Sequence, residues 1–153
     1  MKKFELTSEF VTFLGKKLFR IKALISFGNV KEGELGGYVE KEENLSNDGD
    51  AWVFGDARVS GNARVSGNAE VFGDAMVSGN ADYATVQGFG SQYRATTFFR
   101  TKAGDIGVRC GCFYGTLEEF RAKVKETHGE TKTAKEYLMV ADLMEFRFSK
   151  EEV

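Results

Sequence analysis

Between Gly49 and Ala84 the order of polar and apolar positions repeats every six residues: GDAWVF GDARVS GNARVS GNAEVF GDAMVS GNADYA. Each unit opens on Gly and an Asx residue, Ala follows, and Val stands two places after Ala at 53, 59, 65, 71 and 77, with Tyr83 in the sixth unit. Six is a multiple of the strand period of two and not of 3.6. Ala and Val therefore share one face of an extended segment, and the residue between them faces the other way. The Gly-Asx pairs read as corners, because Gly tolerates positive φ and an Asx side chain can hold corner amides. One such strand buries almost nothing, so the units must stack. Phe follows Val at 54 and 72, eighteen residues apart, which fits three units per coil. Val39 and Leu45 lie eighteen residues before Ala57 and Ala63, so a degenerate first coil is predicted from about Gly37, with Lys41 and Asn47 in its Val slots. At ~4.8 Å per coil, two to three coils would stand ~10–14 Å tall.

The flanks follow other periods. Within residues 4–27, FVTFLGKKLFRIKAL alternates around Leu14-Gly15-Lys16-Lys17 and predicts a β-hairpin. A second hairpin is predicted over 95–113, from ATTFFRT through the turn KAGD to IGVRCGCF. Thr116-Leu117-Glu118-Glu119 then reads as a capping box, opening a helix with Leu117, Phe120 and Val124 on its apolar stripe and an end near His128-Gly129. A second helix is predicted from about Thr133 to Glu145, with Tyr137, Leu138, Ala141, Leu143 and Met144 apolar. The chain thus divides into an N-terminal hairpin (1–36), the repeat (37–92) and a C-terminal α+β module (93–153).

The units resemble the hexapeptide repeat of left-handed parallel β-helix proteins, strongly over about 36 residues. That resemblance implies a mainly β fold: a short left-handed parallel β-helix of about two to three coils, capped by the N-terminal β-hairpin and by the C-terminal hairpin-helix-helix module, and assembled as a homotrimer. The segments LGGYVEKEENLS at 35–46 and CGCFYGTLEEF at 110–120 resemble those of small uncharacterised phage and prophage proteins that carry the same repeat.

Composition narrows the function. The 153 residues carry 21 Lys+Arg against 23 Asp+Glu, a net charge of −2, which offers no field for a nucleic-acid polymer. Residues 41–90 hold three basic and eight acidic side chains, a local net of −5; the eleven basic and ten acidic residues after position 90 nearly cancel. No stretch approaches 18 apolar residues, and Glu5 and Glu9 stand where a signal peptide needs an apolar run, so no membrane partner and a cytoplasmic location are expected, in the host cell if the protein is phage-encoded. Two Cys cannot form a disulfide framework; Cys110 and Cys112 are read as buried small residues on one strand face. No metal and no cofactor are expected.

Hexapeptide-repeat acyltransferases use a histidine as general base. Here His128 is the only histidine, none lies in the repeat, and its place at a helix end suits capping, so no catalytic residue is assigned. The outward side chains are more informative: Trp52 over Glu70, Arg58 over Met76, Arg64 over Asp82, and Phe54 over Phe72. Exposing Trp52, Phe54, Phe72 and Met76 together is unusual for a monomer, so a subunit interface or the flanking hairpins should cover them. With Arg94, these rings and guanidiniums suit a flat anionic molecule. The ligand-binding set is therefore Trp52, Phe54, Arg58, Arg64, Phe72 and Arg94. The expected function is a non-enzymatic binding protein, encoded by a phage, that sequesters a host nucleotide signal in a counter-defence role. The alternatives are a structural or protein-interaction module and, behind both, an acyltransferase.

Overall fold

The structure is a computed structural model and describes residues 2–90 and 92–149. Strands β1 (Phe4–Phe13) and β2 (Lys16–Ala23) form the predicted hairpin. It turns at Leu14 and Gly15, both with positive φ. Strand β3 (Leu35–Val39) pairs antiparallel with β2 on one side and parallel with β5 (Arg58–Val59) on the other, and β5 pairs parallel with β7 (Met76–Val77). The result is a five-stranded mixed sheet in the order β1-β2-β3-β5-β7. Strands β4 (Trp52–Val53) and β6 (Glu70–Val71) make a separate two-stranded parallel pair. Next come β8 (Tyr83–Phe89), β9 (Arg94–Arg100), β10 (Ile106–Cys110) and β11 (Phe113–Thr116), an antiparallel meander in the order β11-β10-β9-β8. Helices α1 (Leu117–His128) and α2 (Lys132–Phe148) complete the chain.

This corrects the expected fold. The molecule is mainly β with several sheets and two C-terminal helices, and the described residues form no closed solenoid. Its largest sheet is mixed, and a four-stranded antiparallel sheet stands where a cap on a parallel β-helix was predicted. The physical reason lies in the unit itself. In four of the six units only two residues extend as strand, and in the third only Val65 makes a bridge, so a repeat strand has little ladder of its own. The long flanking strands dominate the hydrogen bonding: β2 and β3 recruit β5 and β7 into their own sheet.

Other features of the pattern survive. Ala51, Ala57, Ala63, Ala69 and Ala75 point inward with Val53, Val59, Val65, Val71 and Val77, none more than 1% exposed. Corner glycines 49, 55, 61, 67 and 73 adopt φ between 61° and 71°. The eighteen-residue step pairs Trp52 with Glu70 and Arg58 with Met76. In the first turn the step is twenty instead: Val39 pairs with Val59 and Leu45 bridges Val65. Leu45 to Val53 spans eight positions where later units span six, so two residues inserted near Asn47-Asp48 shift the register.

Two cores meet at β9. Phe99 packs into the repeat core with Phe4, Ile21, Val39 and Trp52. Its neighbour Phe98 points to the opposite face, into a second core with Val108, Phe120, Val124, Tyr137 and Ala141. Strand alternation thus makes β9 the wall between the repeat and the helices. Thr97 Oγ1 accepts from the Glu70 amide (2.9 Å), and Ala75 bridges Thr101, so the meander is held directly on the repeat. Among the described residues no helix is long and apolar enough to cross a membrane.

Candidate functional site

A cleft of about 600 Å³ opens where the N-terminal segment, the repeat and the meander meet. Asn29 and Asp50 form one wall, Phe54, Asn68 and Glu70 of the repeat form the floor, and Gln87, Arg94 and Arg109 close it from the meander. Its volume lies in the range of small-ligand sites.

The repeat positions the floor. Phe54 stacks over Phe72 with ring centroids 5.5 Å apart, and Tyr114 abuts Phe72 at 4.9 Å. On this aromatic base lies the Arg109 guanidinium, 4.5 Å from the Phe72 centroid, a cation–π contact. Arg109 Nε is buried without a hydrogen-bond partner, and its ion pair with Glu70 Oε2 is 3.9 Å long, too long for a hydrogen bond. Burial raises the Glu70 carboxyl above its ordinary value; the Arg109 charge and the Asn29 side chain partly oppose that shift. The two groups face the cleft as a loose pair. Arg94 stands exposed at the rim and lies along the backbone of Gly111, where an added Cβ would come within 2.0 Å of Arg94 Nη1. Asn68 donates to the Gln87 amide oxygen at 3.2 Å, linking repeat to meander.

Of the six residues singled out by sequence, Phe54 and Arg94 line this cleft, and Phe72 lies beneath Arg109. Trp52 does not reach it. Instead of facing outward it is fully buried, with Phe4 and Phe27 edge-on to its ring at 6.4 and 5.3 Å. The N-terminal segment covers the tryptophan from within the same chain, and its Nε1 is left without a partner. Arg58 lines a separate groove with Met76 and Lys102, and Arg64 is exposed beside Asn80 and Tyr83.

Arg109 and Glu70 are the pair that the sequence reading did not assign. A signal for Arg109 exists: Val108 faces the helix core, so by alternation the next residue faces the repeat. Asn29, Asn68 and Gln87 carry no comparable local signal and are gathered by tertiary structure.

A second cavity of about 350 Å³ lies behind Arg94, lined by Cys110, His128 and Tyr137. Burial, with Cys110 alongside, pushes the Tyr137 hydroxyl up to about 12. Cys110 is half-buried and its Sγ accepts from Thr96 Oγ1 at 3.1 Å, whereas Cys112 is exposed in the turn after β10. The expectation that both thiols lie buried on one strand face is therefore corrected: the hairpin turns between them, pairing Cys110 with Phe113. The His128 ring stacks against Tyr137 at 6.0 Å. Among the described residues no three His, Cys, Asp or Glu side chains gather as metal ligands would.

No protein-family model matches this chain, and no curated protein sequence matches it significantly.

Proposed function

We propose that the protein is a non-enzymatic binding protein that takes a small anionic nucleotide in the cleft between repeat and meander. The observation that carries this reading is the convergence of Arg94, Arg109 and the Phe54 ring on one cavity of suitable size. Arginine suits phosphate because its planar fork pairs with two oxygens at once, and the aromatic ring offers a stacking surface. Sequestration of a host nucleotide signal by a phage-encoded protein is the biological form of this reading. It draws on the resemblance of segments 35–46 and 110–120 to small phage proteins.

Calorimetry against cyclic dinucleotides and adenosine-diphosphate-ribose derivatives tests it, with heat-released ligand checked for chemical change. Arg94→Ala should weaken binding by ~1.5–3 kcal/mol, the scale of a charge-assisted hydrogen bond, and leave folding intact because Arg94 is exposed. Absence of binding across the panel removes the reading, and altered ligand makes the protein an enzyme.

A second reading, a protein-interaction module, is favoured by helix α2. Met139, Leu143 and Phe146 are 70%, 57% and 79% exposed and share one helical face. Assembly as a homotrimer belongs to the proposal, and this stripe is an apolar face that a second copy could cover.

A further inference from the structure

The cleft is not a simple anion site. Arg94 and Arg109 are matched by Asp50 and Glu70, so the charges of its lining cancel. A bare phosphate would meet two carboxylates as well as two guanidiniums. The ligand that fits must offer hydrogen-bond donors to the acids and acceptors to the arginines. Glu70 and Arg109 set this demand most sharply, because they lie side by side at 3.9 Å without being hydrogen-bonded to one another, each mostly withdrawn from water. A partly desolvated carboxylate and guanidinium in that state are both stabilised by a ligand edge that places donors beside an acceptor.

Resting on the nucleotide reading above, we infer that the cleft recognises a guanine base, with Glu70 reading its N1–H and N2–H₂ donors and Arg109 its O6 acceptor. Among the common bases only guanine carries two adjacent donors on its pairing edge, which a carboxylate can take in bidentate fashion. Adenine and cytosine place a ring-nitrogen acceptor next to the amino group, so one carboxylate oxygen would face a lone pair. Uracil has a single donor between two acceptors. Arg109 supplies a charged N–H donor from which O6 can accept; in DNA the same side chain reads O6 together with N7. Arg109 already rests over Phe72, 4.5 Å from its ring centroid, with its side chain mostly buried, so little side-chain freedom is lost on binding. Phe54 offers its ring to the purine face, and Arg94 at the rim is left for phosphate.

The test is calorimetry of the full chain with GMP, IMP and AMP, with cyclic di-GMP and cyclic di-AMP as a matched pair, and with ribose 5-phosphate as a control without a base. GMP should bind at least tenfold more tightly than IMP, which differs by the N2 amino group alone, and more tightly still than AMP; cyclic di-GMP should exceed cyclic di-AMP. Glu70→Gln, nearly isosteric, should erase these preferences, while ribose 5-phosphate, which has no base to read, should bind no more weakly than to the wild type because the cleft loses a negative charge. The wild-type comparison of GMP with IMP stands even if the variant fails to fold. Equal affinity for guanine and adenine ligands, or a guanine preference that survives Glu70→Gln, overturns this inference and leaves the nucleotide reading in place. Failure of every nucleotide to bind overturns both.

Discussion

At the scale of single residues, burial decides most outcomes. Val65 is fully buried, whereas Ser66 beside it is half-buried at a corner. Val65→Asp would place a carboxylate among Leu45, Val59 and the stacked alanines without a partner, at a cost on the order of 3–5 kcal/mol. Ser66→Asp should be tolerated; melting temperatures of the two variants check this, and similar values would refute the inward facing. Lys3 is the opposite case, a cation in the core. Its Nζ donates to the Ala51 carbonyl at 2.7 Å and lies 4.7 Å from the Phe27 ring centroid. Desolvation lowers its pKa from 10.5 to about 8, against the raising pull of Asp50 and Asp48. Below about pH 8 the lysine is charged in both states, and the folded chain bears the desolvation cost. Between about 8 and 10.5 the unfolded chain binds the extra proton, so stability rises with pH. The unfolding free energy of wild type minus that of Lys3→Met should therefore shift in favour of wild type across this window; a flat difference would show that Lys3 titrates normally.

At the scale of elements, the closeness of β3 to the repeat is set by two glycines with unexceptional backbone angles. A Cβ on Gly37 would stand 2.4 Å from the Ala57 carbonyl oxygen, and one on Gly36 2.6 Å from that of Val53. Both obstacles are backbone, which cannot rotate away. Gly37→Ala should cost ~1–3 kcal/mol by overpacking and loosen the pairing of β3 with β5. Amide exchange at Tyr38 and Glu40, which donate to Ala57 and Val59 carbonyls, measures that loosening. Wild-type protection at both amides in the variant would rule it out. The sequence GELGGY, which lacks the residues of a phosphate loop, thus has a packing reason for its paired glycines. The capping box was legible before the structure: Thr116 Oγ1 accepts from the Glu119 amide at 3.1 Å, and Glu119 Oε1 accepts from the Thr116 amide at 2.9 Å. Both groups are four residues or fewer from their partners, which is why sequence alone reveals them. The second helix runs longer than predicted, Lys132–Phe148, because Thr131 caps it and Phe148 is buried at its end.

At the scale of the whole molecule, the aromatic surface that motivated assembly is largely covered from within. Trp52 is enclosed by the N-terminal segment, and Phe72 by Arg109 and Tyr114. Met139, Leu143 and Phe146 on α2 remain exposed, as do Leu14 and Leu35 in the N-terminal part. Light scattering should give three times 17.0 kDa if the proposed trimer forms, and Phe146→Asp should shift it to monomer if the α2 stripe is the contact. A concentration-independent monomer of the wild-type protein would discard the trimer. Retention of the trimer by Phe146→Asp would place the contact elsewhere.

What the sequence by itself determined is what depends on neighbours a few positions away. The six-residue alternation dictates that Ala and Val face inward, the first five Gly-Asx corners take positive φ, and Leu14-Gly15 closes a hairpin, because φ preferences and strand alternation are local. Sheet membership was decided elsewhere. Which strand β5 hydrogen-bonds to depends on the competing edges offered by residues twenty positions away, so a repeat that reads as a solenoid is drawn into a mixed sheet. The cleft is tertiary in the same sense. Asn29, Glu70 and Arg109 lie about forty residues apart in sequence, and only the seating of the meander on the repeat, through Thr97 and Phe99, brings an acid and a guanidinium side by side over Phe72.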